Sequence, residues 1–131
     1  MDDCLFCKII KGDIPSHKVY EDDKVVAFLD VYPATEGFTL VLPKKHSDYI
    51  WDMDDDNYAY LQQKVKDIGN HLRKIYQPPW VGIQVEGVGV AHTHVKVFPF
   101  STVEEYRTEP DRSGEPDHEK LAKIAEKLKF S

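Results

Sequence analysis

The segment His92-Thr93-His94-Val95-Lys96-Val97-Phe98-Pro99 places two imidazoles and an ammonium at every second position. Side chains of a strand alternate between faces, so an extended backbone points His92, His94 and Lys96 one way and Thr93, Val95 and Val97 the other. A neutral imidazole has a free lone pair near neutral pH, because its reference pKa is about 6.5. Such a strip can ligate a metal, attack an electrophile or hold an anion. The plain alternative for a lone His-x-His is a solvated surface strand. The preceding strand offers Gln84 and Glu86 on one face and Ile83 and Val85 on the other.

A second chemical feature opens the chain. Cys4 and Cys7, the only two cysteines, form a Cys-x-x-Cys pair. Their spacing is too tight for a useful disulfide staple, and their scarcity suits a reducing compartment. A redox Cys-x-x-Cys follows a strand at the start of a helix, and the residues ahead of Cys4 supply no strand. Zinc is the better chemical reading, but a structural zinc needs two further ligands. The candidates are His17, His46, His71, His92, His94 and His118. The expected places of His71 and His118 on helices, and of His17 in a turn, fit solvated or capping roles. The alternative reading of the cysteines is two small buried apolar side chains.

The elements that must position these groups follow from periodicity and breakers. Cys4–Gly12 reads as a short helix closed by glycine. Lys18–Glu21 and Lys24–Asp30 read as strands across the Asp22-Asp23 turn, and Phe38–Leu42 as a third strand stopped by Pro43. A long helix is expected from about Asp54 to Pro78-Pro79. Its apolar stripe is Leu61, Val65, Ile68, Leu72 and Ile75, and its acidic start complements the macrodipole. Val81–Glu86 and His92–Phe98 complete the strands. Glu104–Pro116 reads as a charged connection, and a last helix carries Leu121, Ile124 and Leu128 on one face. The pattern predicts one α+β domain over 1–131, with an antiparallel sheet of about five strands, one long helix and shorter ones.

Composition narrows the partners. At 41% hydrophobic and 31% charged residues this is a chain able to build a core. A net charge of −6 argues against non-specific nucleic-acid binding. It leaves room for a small anionic ligand in a local positive patch. No apolar run is long enough to span a bilayer, and the acidic Met1-Asp2-Asp3 is unlike a basic leader. Cytoplasmic residence is therefore expected.

Four segments together resemble the histidine-triad (HIT) family. Cys4-Leu5-Phe6-Cys7-Lys8-Ile9-Ile10-Lys11-Gly12-Asp13-Ile14-Pro15-Ser16 is similar to its N-terminal pattern, and Ala27-Phe28-Leu29-Asp30-Val31-Tyr32-Pro33 to its nucleoside-contacting strand. Gly37-Phe38-Thr39-Leu40-Val41-Leu42-Pro43-Lys44-Lys45-His46 is similar to the next strand and its exit, and Val90–Pro99 to the triad itself. The resemblance covers about residues 4–99. The family pattern His-φ-His-φ-His, with φ hydrophobic, is broken twice, by Thr93 at the first φ position and by Lys96 at the third histidine.

The resemblance implies a nucleotide-binding hydrolase or transferase. Its middle histidine, here His94, attacks an α-phosphorus and forms a nucleotidyl-histidine, on a dinucleoside polyphosphate or a nucleoside phosphoramidate. Lys96 becomes the charged donor to the phosphate. Asp30 aligns with a ribose-binding carboxylate, and Val26 and Phe28 with the base pocket; Phe28 is equally readable as sheet core. Gln84 and the backbone of Gly89 stand near the expected phosphates. No side-chain donor precedes the triad in Val88-Gly89-Val90, where the family usually has one. A zinc site of Cys4, Cys7, His46 and His92 and a homodimer are also implied. Two other readings remain, a nucleotide-binding module with little turnover and a zinc-stabilised protein-interaction domain.

Overall fold

The structure, a computed structural model, describes residues 3–130. Met1 and Asp2, part of the acidic start noted above, lie outside the described residues.

Helix α1 (Leu5–Lys11) is followed by strands β1 (Lys18–Glu21), β2 (Val25–Leu29) and β3 (Thr39–Pro43). The long helix α2 (Asp55–Tyr76) leads to β4 (Trp80–Gln84) and β5 (Val95–Phe100), then to α3 (Val103–Arg107) and α4 (His118–Leu128). The strands form one sheet in the order β1-β2-β3-β5-β4, with every neighbouring pair antiparallel.

The two faces of this sheet carry different layers. Val25, Ala27, Leu29, Val41, Val95 and Val97 turn to one face and meet the buried stripe of α2 and α4. The alternate residues Val26, Phe28, Leu40, Leu42 and Phe98 turn to the other, where Phe6 and Ile9 of α1 pack on them. β2 and β3 are consequently buried at every position, as expected of strands covered on both sides.

Local signals set the ends of the helices. Asp54 accepts from the N–H of Asn57 to cap α2, and Asp55 and Asp56 occupy its first turn. Gly12 ends α1 at φ 89°, a left-handed conformation open to glycine. His71 is not merely solvated, because its Nε2–H donates to the carbonyl of Leu128 (2.8 Å) and ties α2 to the end of α4.

Two expectations need correction. β5 runs Val95–Phe100 rather than His92–Phe98, so both histidines precede the ladder. Pro99 is tolerated because β3 pairs with β5 only at Val95, Lys96 and Val97, leaving its missing N–H without consequence on that side. The supposed connection after β5 also begins with a helix. Thr102 caps α3 by accepting from the N–H of Glu105, whose carboxylate accepts in turn from the N–H of Ser101. The Thr-x-x-Glu pattern of a capping box was the available signal.

Candidate active site and metal centre

The histidines are placed by the threonine between them. The N–H of Thr93 donates to the Ser47 carbonyl (2.7 Å), and its hydroxyl donates to the same oxygen (3.0 Å). These bonds dock the triad segment on the loop after β3, so Thr93 substitutes anchoring for the packing that a hydrophobic residue would give. His92 and His94 still face one side. The Phe6 ring meets both edge-on, with centroids 6.1 and 4.9 Å away.

The two imidazoles are fixed in opposite senses. His92 donates Nε2–H to the Pro43 carbonyl (2.8 Å), which leaves Nδ1 facing the sulfurs of Cys4 and Cys7, each 3.5 Å away. His94 donates Nδ1–H to the carbonyl of His92 (2.8 Å), which leaves Nε2 with the lone pair. Burial is the main cause lowering the pKa of both rings; for His94 the charge of Lys96 adds to it. His94 is therefore neutral and nucleophilic near pH 7.

Cys4, Cys7, His46 and His92 converge, with ligand atoms all within 4.8 Å of one another. Nδ1 of His46 lies 3.2 Å from the Cys7 sulfur, and its Nε2–H donates to Asp48 (2.6 Å). Tetrahedral zinc on two sulfurs and two nitrogens separates its ligand atoms by about 3.3–3.8 Å. The donor set fits such an ion, and both imidazoles have their other nitrogen occupied by an oxygen acceptor, as metal-bound histidines usually do. Without a cation, burial and then Cys4 itself push the Cys7 thiol up; a divalent ion between the sulfurs reverses that.

Lys96 extends from β5 on the same side and forms an ion pair with Glu86. Sequence reasoning placed Glu86 on a polar strand face without a role, and its proximity to Lys96 is a feature of the hairpin register. Asp30 accepts from the N–H of Tyr32 (2.9 Å). Burial raises its pKa, opposed by that bond and then by the charges of Arg112 and Lys96. Val26 and Phe28 are sealed beneath α1, 0% and 3% exposed. Gln84 is the register partner of Lys96, but its amide N–H donates to the Tyr106 carbonyl (3.0 Å) and fastens α3. Gly82 makes room there, since a Cβ on it would lie 2.8 Å from the Tyr106 ring. Gly89 is exposed in the turn between β4 and the triad.

A family model described as HIT domain matches residues 11–105. The chain belongs to the HIT family.

Among its HIT relatives, an uncharacterized HIT-like protein from Borreliella burgdorferi is 45% identical over 106 residues, 76% of each chain. An adenylylsulfatase from Arabidopsis thaliana is 33% identical over 103 residues, covering 75% of this chain and 52% of its own length. A Hit-like protein from Bartonella henselae, solved with an unknown ligand, superposes with a TM-score of 0.82 at 30% identity, over 98% of this chain and 95% of its own. A Zn-bound histidine triad protein from Mycobacterium smegmatis gives 0.76 at 26% identity, over 97% and 94%. The α+β fold with its five-stranded antiparallel sheet is thus that of the HIT family. No helix among the described residues is long and apolar enough to cross a membrane.

Proposed function

We propose that this HIT protein is a cytoplasmic nucleotidyl hydrolase or transferase that cleaves at the α-phosphate of a nucleotide through a covalent intermediate on His94. The observation that carries the reading is the 2.8 Å bond from His94 Nδ1–H to the His92 carbonyl, which aims an unprotonated Nε2 outward. Nε2 forms a bond to phosphorus while the bond to the leaving group breaks, its electron pair going to the leaving atom, which takes a proton from solvent. Water then attacks the phosphorus, gives up a proton, and returns the electron pair to Nε2. Lys96 stabilises the charge on the phosphoryl oxygens. Asp30 holds the ribose hydroxyls, which suit a carboxylate acceptor. The base lies toward the face of β2 that carries Val26 and Phe28, and Gln84 and the Gly89 backbone flank the phosphates. The adenylylsulfatase relative supports cleavage at a nucleotide phosphorus.

Zinc held by Cys4, Cys7, His46 and His92 supplies rigidity, fixing His92 and through its carbonyl the His94 ring; the Zn-bound relative supports this. A second copy pairs along β4 and α2. The support is that β4 is an edge strand whose Trp80 and Ile83 are exposed, an arrangement that proteins tend to cover. The whole chain, 1–131, acts as one domain.

The Lys96–Glu86 pair and the lack of a polar side chain over Val88–Ala91 favour a second reading, a nucleotide-binding module with little turnover. Single-turnover labelling with an α-labelled nucleotide substrate separates the two. The enzyme reading expects an acid-labile adduct that His94→Ala abolishes, and absence of any adduct on the natural protein overturns it.

A further inference from the structure

Proceeding from the proposed zinc site and the nucleotidyl chemistry on His94, the two cysteines carry a further role. Cys4 is the N-cap of α1, and the N–H of Cys7 donates to its sulfur (3.3 Å). The N–H of Lys8 donates to the Cys4 carbonyl (3.1 Å), so both cysteines belong to the first turn of the helix. Helix geometry sets Cα atoms three residues apart at about 5 Å, inside the range that a disulfide spans. Their sulfurs also converge, since each lies 3.5 Å from Nδ1 of His92. The pair can close within one turn of chain.

The two sulfurs stand in different surroundings. Cys7 faces the imidazoles of both His46 (3.2 Å) and His92, whereas Cys4, partly exposed, faces His92 alone. Cys4 is thus the entry point for a reagent from solvent, with Cys7 placed to resolve the product. Behind both stands the reacting ring. Phe6, between the cysteines in sequence, meets His92 and His94 edge-on, and the His92 carbonyl accepts from His94 Nδ1–H. Bound zinc fixes His92 through Nδ1; without it the ring keeps only its bond to Pro43.

We infer that Cys4 and Cys7 form a site of reversible oxidation, at which a hydroperoxide closes a disulfide, expels zinc and slows the chemistry on His94. The Cys4 thiolate attacks the outer peroxide oxygen, the O–O bond breaks, and the departing oxygen takes a proton from solvent. Cys4 is then a sulfenic acid. The Cys7 thiolate displaces hydroxide from it, forming the S–S bond, and the hydroxide takes up a second proton as water. Two electrons pass from the sulfurs to the peroxide. Zinc departs as the unchanged divalent ion, because a disulfide has no thiolate to offer it. In a reducing compartment the dithiol is the resting form, and the disulfide is a transient of peroxide exposure.

The test treats the zinc-loaded natural chain with graded hydrogen peroxide, removes the excess with catalase, and follows four readouts. These are intact mass, released zinc, Tm and single-turnover adduct formation. The inference expects a mass lower by two hydrogens, one zinc released per disulfide, and a Tm lower by several degrees. Adduct formation should be about ten-fold slower, and dithiothreitol with zinc should restore all four. Cys4→His keeps a nitrogen ligand for zinc but has no second sulfur, so its zinc should survive the same dose; equal loss from it overturns the inference. Zinc retained by the natural chain while Met53 is already oxidised also overturns it, as does a gain of oxygen in place of the disulfide. So does an adduct rate unchanged by disulfide closure. A reduced chain that takes up no zinc defeats the zinc reading before any peroxide is added, and the inference with it. Disulfide closure with zinc release, but no adduct in either state, leaves the oxidation site standing and defeats the enzymatic reading instead.

Discussion

His92 and His94 are two residues apart, share one face and touch the same phenylalanine, yet they serve opposite ends of the site. What separates them is the ring nitrogen each one gives to a backbone carbonyl. His92 spends Nε2 on Pro43 and turns Nδ1 to the thiols, whereas His94 spends Nδ1 on His92 itself and turns Nε2 outward. An imidazole has two inequivalent nitrogens, so committing one assigns the other its task. The carbonyl of His92 also links the two tasks, because whatever holds His92 in place holds the acceptor that orients His94.

This division can be broken one histidine at a time. The largest effect is expected from His94→Ala, which should lower turnover by about 10⁴-fold or more while leaving zinc content unchanged and sparing much of the nucleotide binding. His92→Ala should do the reverse, losing the metal first and activity only through disorder of the neighbouring ring. Metal analysis beside single-turnover kinetics distinguishes the two. If His92→Ala retained a full zinc complement, His92 would not be a ligand.

Removing the metal itself should cost less than removing the nucleophile. A ligand present at a thousand times its Kd stabilises the folded state by about 4 kcal/mol. Chelation, or Cys7→Ser, should therefore lower Tm by several degrees, with zinc restoring the natural chain and not the variant. An unchanged Tm after complete metal removal would leave the thiols as ordinary packing.

The charged residue after the nucleophile sharpens the comparison further. Lys96→Ala should weaken nucleotide binding by about ten- to a hundred-fold, or 1.5–3 kcal/mol for a charge-assisted hydrogen bond, with nucleosides nearly unaffected. Lys96→His restores the family residue and should raise turnover if proton delivery to the leaving group limits the natural chain. Calorimetry with AMP and adenosine reads the first effect. Equal AMP affinity in Lys96→Ala would make Lys96 a surface lysine bound only to Glu86.

A smaller effect concerns pH. Burial lowers the folded-state pKa of both His92 and His94, so the unfolded chain takes up their protons first. Above the unfolded value of about 6.5 neither ring contributes to the pH dependence. As pH falls below it, the unfolded state gains protons that the folded state resists, and the metal-free protein loses stability. Urea unfolding between pH 8 and 5 should show this decline, and it should shrink in a His92→Gln, His94→Gln double variant.

Much of this arrangement was legible in residue types. The 3.6-residue stripe from Leu61 to Leu72 specified α2, whereas β2 is apolar at every position, and it is the structure that divides Val25 and Ala27 from Val26 and Phe28 between opposite layers. Cys4, Cys7, His46 and His92 meet in space as the family resemblance implied. The strand assignment of His92 and His94 failed because their backbone is held by Ser47, a contact across 46 positions that no local period encodes. The face-sharing nevertheless survived, since it is set by the direction in which the chain enters β5. The Glu86–Lys96 pair was hidden for a related reason. It depends on the β4–β5 register, in which Gln84 stands opposite Lys96, and on the turn that brings Glu86 back over it.

The central claim is that these neighbouring histidines are opposite tautomers with opposite tasks. Long-range proton–nitrogen NMR of the zinc-loaded protein at pH 7, with histidine nitrogens labelled, tests it directly. The expected spectrum shows His92 protonated at Nε2 with Nδ1 bound to metal, and His94 protonated at Nδ1 with Nε2 bare. A His94 ring that is doubly protonated at pH 7, or that carries its proton on Nε2, would contradict the assignment of His94 as the nucleophile.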